Sequence, residues 1–315
     1  MYGKYFVLFA ILFTGWFLRK INFIDDKMNR SINKLIVYFA YPCMIVHNIG
    51  TIQMSGKIMV QFLTTFFICL ALFYLYGAIT YAYSKARKLP SENSNVVEFA
   101  MCLPNDGFMG FPVAMLFFGE TGLLFMLAHN AAMNFFTFTY GLKLMRRNEN
   151  KYAKGTPKSA IKALFRLITN PNIIALILGF ILSLAGGNIP EAVDEYLLYL
   201  GNISTPMAMI FIGSTLTRCR FLDIIKEFRT IEASLMKLVW IPLITLAIVY
   251  FLPITPLMKC IIVLGGSFPT AATVSMLAEQ ENQDEETACK ILFLSTVVSA
   301  ASVPGTINLL NLIFM

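Results

Sequence analysis

The stretch Leu103-Pro104-Asn105-Asp106-Gly107-Phe108-Met109-Gly110-Phe111-Pro112 stands in the middle of an apolar run, and Gly265-Gly266-Ser267-Phe268-Pro269-Thr270 stands in the middle of another. Proline removes a backbone donor and its ring clashes with the preceding helical turn, and glycine weakens a helix further. Each cluster therefore predicts an unwound stretch inside a helix. Unwound backbone at membrane depth persists only where it is buried in protein or lines a cavity. A fold for this chain must cover both breaks.

The surroundings of the breaks are those of a membrane protein. Of 315 residues, 57% are apolar and 14% charged, and the mean hydropathy is +0.68. A soluble domain carries about a quarter charged residues. The composition excludes a soluble enzyme, a nucleic-acid-binding domain and a secreted disulfide scaffold. Ten apolar runs approach the roughly 20 residues that a spanning helix needs. They cover 4–19, 33–52, 58–84, 95–118, 121–145, 171–187, 194–217, 231–252, 256–279 and 287–313. The first is followed by Arg19-Lys20 with no small-residue cleavage site, so it is expected to be a retained span. Cys43, Cys69, Cys102, Cys219, Cys260 and Cys289 show no C-x-x-C spacing and read as small packing residues. Neither a resident metal nor a catalytic motif is evident, and no cofactor is expected.

Lysine and arginine orient the spans. Only Lys4, Lys57 and Lys259 fall on one side, which leaves 22 of the 25 basic residues on the connections after spans 1, 3, 5, 7 and 9 and the adjoining span ends. The positive-inside rule then places those connections in the cytoplasm and both termini outside the cell membrane. The net charge of +7 is thus a topology signal, with no nucleic-acid partner implied. The longest connection, 146–170, carries Arg146, Arg147, Lys151, Lys154, Lys158, Lys162 and Arg166. It separates residues 1–145 from 171–315, five spans each, and an odd number per half means opposite insertion, the arithmetic of an inverted repeat. Tyr41-Pro42-Cys43-Met44 with Ile49-Gly50-Thr51 echoes Thr205-Pro206-Met207-Ala208 with Ile212-Gly213-Ser214 in the other half. The expected fold is an all-α integral membrane protein of ten helices in two inverted five-helix repeats, with spans 4 and 9 broken.

Interrupted helices at corresponding positions of two halves point to a transporter's binding site. Each break presents a half-helix N-terminus with free N–H groups and partial positive charge, a natural seat for an anion. Pro104, Asn105, Gly107, Ser267, Pro269 and Thr270 are the residues expected to line it. Asn130 and Asn134 lie one turn apart on span 5 and share a face that looks into the bundle.

The motif Leu103-Pro104-Asn105 … Met109-Gly110-Phe111-Pro112 resembles span 4 of the auxin efflux carrier family, which includes plant auxin carriers and bacterial malate-permease-like members. Asn170-Pro171-Asn172 with Leu178 and Gly179, the Pro206 … Met209 … Gly213 stretch and the Pro269 region are similar to that family's second half. The long cytoplasmic loop of many plant members is absent, which favours a bacterial-type carrier. The resemblance implies spans 4 and 9 crossing at their broken midpoints, as in bile-acid symporters and sodium–proton antiporters. It also implies a transport domain moving elevator-fashion against a scaffold, and organic-anion substrates such as malate-like carboxylates or indole acids. Asn105 matches the family's asparagine at the crossover. Asp106 departs from the family, where a small uncharged polar residue is usual.

A carboxylate near mid-bilayer is a functional hypothesis by default. Asp106 is open to three readings: carrier of a coupling proton, ligand of a cation such as sodium, or hydrogen-bonded brace. His47 and His129, the two histidines, are intramembrane and suited to proton relay. The acidic run Glu279, Glu281, Asp284, Glu285 and Glu286 reads as a solvated loop. Expected partners are a small organic anion, the bilayer and a second copy in a homodimer. A sodium-coupled symporter and a non-transporting sensor using the same pocket are the alternatives to efflux or exchange.

Overall fold

A computed structural model of the chain describes residues 2–51, 55–89, 94–145, 147, 165, 168–187, 189–218, 224 and 227–315. Most of the 146–170 connection, with Arg146, Lys151, Lys154, Lys158, Lys162 and Arg166, lies outside the described residues, as does Cys219. Among the described residues every named element is helical. In chain order they are α1 (Tyr2–Lys20), α2 (26–50), α3 (Gly56–Ala86), α4 (Ser94–Cys102), α5 (Asp106–Met145), α6 (Pro171–Leu184), α7 (Glu191–Thr215), α8 (Phe228–Tyr250), α9 (Pro256–Ser267), α10 (Ala272–Gln280) and α11 (Glu285–Phe314). Five of these, α3, α5, α7, α8 and α11, are long and apolar enough to cross a membrane, and α6 and α9 are shorter apolar helices. Large apolar side chains such as Phe6, Phe67, Ile181, Phe251 and Leu312 point outward, as they do where the solvent is lipid.

Local chemistry sets the helix starts. Asp25, Ser55, Asn170, Thr255 and Asp284 each accept a hydrogen bond from a backbone N–H two or three residues on, which satisfies an orphan donor of the first turn. Asn170 and Thr255 are followed by Pro171 and Pro256, whose missing N–H costs nothing there. The sixth apolar run ends as a helix at Leu184, short of 187, because Gly186 and Gly187 take positive φ (102° and 68°). Spans 4 and 5 join at Gly119, whose φ of 64° and ψ of −160° turn the chain inside α5. The acidic run is tied down at its end: Asp284 caps Thr287, and Glu286 pairs with Lys290 at 2.8 Å.

Interior prolines explain three of four other irregularities. Single π turns occupy Ile36–Ala40, Asp106–Gly110, Thr137–Gly141 and Met236–Trp240. Three of them end just ahead of Tyr41-Pro42, Phe111-Pro112 and Ile241-Pro242. The extra residue of a π turn re-spaces the carbonyls that a proline ring would otherwise strike.

Packing sorts the helices into two groups. α1, α2, α6 and α7 pack chiefly on one another, and α3, α4, α5, α8, α9, α10 and α11 on one another. Within the first group the backbones touch through glycine. A β-carbon at Gly15 would lie 2.2 Å from the Ile210 carbonyl oxygen, and one at Gly213 would lie 1.8 Å from that of Leu12. Small residues of this kind let membrane helices approach closely where no hydrophobic force acts between them. In the second group Arg147 clamps the fully buried Glu98 with two parallel hydrogen bonds of 2.8 Å. The groups meet more sparsely, at Phe62 with Phe180, at the Tyr5 hydroxyl donating to the Ser299 carbonyl, and at an aromatic cluster beside the first break. Phe211 of α7 stacks near Phe108 at 5.0 Å, and Tyr41 of α2 meets Phe111 edge-on at 5.4 Å.

Candidate functional site

The two breaks lie against each other. Pro104 and Thr270 form an isolated antiparallel bridge. The Asn105 N–H donates to the Pro269 carbonyl at 2.8 Å, and the Ala271 N–H donates to the Leu103 carbonyl at 3.0 Å. Backbone groups freed by one break are thereby satisfied by the other. Side chains complete the joint: Thr270 Oγ1 donates to the Ala100 carbonyl at 2.9 Å, and Ser295 Oγ of α11 accepts from the Thr270 N–H at 3.1 Å. All of these residues are buried. α4 and α9 end at this crossing, while α5 and α10 begin there, so two helix C-termini and two N-termini converge on it.

Charge is distributed to suit those ends. Asp106 opens α5, where a negative group complements the N-terminal partial positive charge. Its Oδ2 bonds Nδ1 of His129 at 2.7 Å, and both side chains are almost wholly inaccessible. Lys237, fully buried on the π turn Met236–Trp240, donates from Nζ to the Gly266 carbonyl at 3.2 Å, at the C-terminal end of α9. A buried basic side chain at the C-terminal end of α9 and a buried acidic one at the N-terminal end of α5 thus each stand at the helix end that their sign complements. Beside them the Tyr76 hydroxyl and Thr245 Oγ1 share a 2.6 Å hydrogen bond.

Three buried polar atoms here have no partner among the described residues: Asn105 Nδ2, Asp106 Oδ1 and the Tyr41 hydroxyl. An orphaned buried group costs about 1–3 kcal/mol. The three lie on two consecutive residues of the break and on the helix facing it. The helix start is held by backbone, since the Asn105 carbonyl accepts from the Met109 and Gly110 N–H groups, and the Asn105 side-chain Nδ2 is left without a partner among the described residues.

Of the residues expected to line the site, Pro104, Asn105, Pro269 and Thr270 come together at the crossing, with Asp106 and His129 beside them. Gly107 is half-buried, and the position of its missing β-carbon faces the Tyr41 ring at 3.9 Å. Ser267 Oγ donates to its own helix, at the Leu264 carbonyl. Asn134 Nδ2 donates to Asn130 Oδ1 at 3.0 Å, so these two amides hold each other on α5. His47 pairs with Asp194 at 2.6 Å, joining α2 to α7. Lys237 and Tyr41 are participants that sequence reasoning missed. Lys237 had been counted with the cytoplasmic span ends, although a lysine five residues before Pro242 inside an apolar run was a usable signal.

Comparison with known proteins places this site in context. Residues 1–307 match the family model described as "Membrane transport protein". The chain is 26% identical over 296 residues to an uncharacterized transporter of Methanothermobacter thermautotrophicus, covering 94% of this chain and 93% of the relative. It is 24% identical over 312 residues to the uncharacterized transporter YfdV of Escherichia coli, covering 96% and 95%. It is also 22% identical over 323 residues to a putative malonate transporter of Rhizobium meliloti, covering 98% and 95%. A match spanning nearly the whole chain, together with paired broken helices among apolar ones, assigns the chain to the auxin efflux carrier family of membrane transport proteins.

Proposed function

We propose that the protein is a secondary transporter of small organic anions, with the carboxylate of the substrate seated at the crossing. The observation that carries this reading is the orphaned Asn105 amide donor, buried beside the N-terminal end of α5. An N–H donor held in a low-dielectric site next to a half-helix N-terminus favours a carboxylate over a neutral guest. The name of the Rhizobium relative, a putative malonate transporter, supports a short carboxylate rather than an indole acid as the first substrate to try.

The transport cycle in this reading is elevator-like. The α3–α5 and α8–α11 group carries the crossing, and the α1, α2, α6, α7 group serves as scaffold. The contact between them, sparser than within either group and made largely by aromatic rings such as Tyr41, Phe108, Phe111 and Phe211, supports sliding of one group on the other. The chain would span the cell membrane ten times as two inverted repeats, with both termini outside and 146–170 in the cytoplasm. Labelling of a cysteine placed at 155 from outside sealed cells would overturn that topology.

Uptake or exchange of labelled malonate in proteoliposomes tests the function. Asn105→Ala is expected to abolish flux while leaving the protein folded, since its side-chain donor supports nothing else in the structure. Full flux in that variant would move the substrate away from the crossing. Absence of flux alongside measurable binding in the wild type would favour a sensor.

A further inference from the structure

We infer that each anion enters the crossing together with one proton, which comes to rest on the Asp106–His129 pair. This deepens the anion reading of the site and rests on it. The difficulty it resolves is a conflict of signs: Asp106 Oδ1 is buried, has no partner among the described residues, and belongs to the residue next to the Asn105 donor. An ionised carboxylate there repels a carboxylate guest. A protonated one attracts it.

The geometry supplies a place for that proton. His129 Nδ1 stands 2.7 Å from Asp106 Oδ2. With Nδ1–H donating to Oδ2, a proton on Oδ1 turns the orphan acceptor into an O–H donor. Two consecutive residues then offer the guest one donor each, Asn105 Nδ2–H and Asp106 Oδ1–H. The proton leaves bulk water as the anion binds and returns to water when the anion is released, so no covalent bond to carbon forms or breaks.

No other titratable group near the pair is as well placed. From α3 come Cys69 and the Tyr76 phenol, the latter engaged with Thr245. α4 brings Cys102, whose thiol contacts Thr80 Oγ1 at 3.2 Å. α8 brings Lys237, and α9 presents Gly265 against the His129 ring. α7, packed on the π turn, presents Phe211. α2 brings the Tyr41 phenol; with Lys237 held to the Gly266 carbonyl and Tyr76 to Thr245, the hydrogen-bonded Asp106–His129 pair, with its unpartnered Oδ1, is the proton store.

Calorimetric titration of the purified full-length protein with malonate, in two buffers of different ionisation enthalpy, counts the protons taken up on binding. Between about pH 7 and 8, above malonate's own titration, uptake of about one proton per malonate is expected, with affinity falling about tenfold per pH unit. Asp106→Asn places a permanent amide donor at the same position, so binding is retained, proton uptake vanishes and affinity becomes independent of pH. Absence of proton uptake in the wild type overturns the inference even if that variant does not fold. Malonate binding with no proton uptake, or with uptake replaced by a requirement for sodium over choline, overturns this inference and leaves the anion site standing. Failure of malonate, succinate, acetate and indole-acetate all to bind overturns the anion reading and this inference with it.

Discussion

The imidazole of His129 occupies the space that a side chain at Gly265 would need: a β-carbon at 265 would fall 2.5 Å from His129 Nε2. A glycine of α9 thus sets the position of a ring on α5, and through it the hydrogen bond to Asp106. Gly265→Ala is expected to push the ring away and stretch or break that bond. Overpacking of a tight interior costs about 1–3 kcal/mol. A lower melting temperature with at least a tenfold loss of malonate flux is the expected outcome. Flux equal to wild type would show that the ring's position is immaterial.

The α1–α7 contact makes a sharper steric prediction. At Gly213 an added β-carbon meets the Leu12 backbone at 1.8 Å, where no rotamer change gives relief, whereas at Gly3 it meets nothing within 4 Å. Gly213→Ala should separate the helices and destabilise the protein by about 1–3 kcal/mol or more. Gly3→Ala should stay within about 0.5 kcal/mol of wild type. Thermal unfolding in one detergent compares the pair.

Thr270 and Asn105 stand close at the crossing but differ in what they hold. Thr270→Val deletes the bond to the Ala100 carbonyl and should cost about 1–2 kcal/mol. Asn105→Ala removes a donor that had no partner and should leave stability unchanged or raise it, while eliminating malonate binding. Equal loss of stability in both variants would mean that the Asn105 amide is a structural brace.

Lys237 and Asp106 invite a double-mutant cycle. Lys237→Met leaves the Gly266 carbonyl without its side-chain donor, and an orphaned buried acceptor costs about 1–3 kcal/mol. Where the Lys237 amine also offsets charge on Asp106, adding Asp106→Asn recovers part of that loss. Strict additivity of the two changes would show that the groups do not act on each other.

Much of this arrangement was legible in the sequence because proline and glycine act locally. The breaks within 103–112 and 265–270 required no knowledge of distant partners. Pairing was another matter. That Asp106 meets His129, and His47 meets Asp194, depends on which helices become neighbours, and 147 residues separate the second pair. Lys237 was hidden for a different reason. A count of basic residues by side treats any lysine near a span end as cytoplasmic, and only packing distinguishes a snorkelling ammonium from one buried against a carbonyl. The π turns were invisible as well, although three prolines marked where they end.

The joint between the breaks bears on how the protein is made. Ala100 and Thr270, tied side chain to backbone, lie 170 residues apart. At ribosomal speeds of about 5–20 residues per second, roughly 10–30 s pass between the synthesis of one break and the arrival of its partner. Throughout that interval the 103–105 backbone waits inside or beside the bilayer with its carbonyl and N–H groups unmatched. The first half is therefore an unfinished object, expected to be degraded when produced alone and rescued when the second half is supplied as a separate chain.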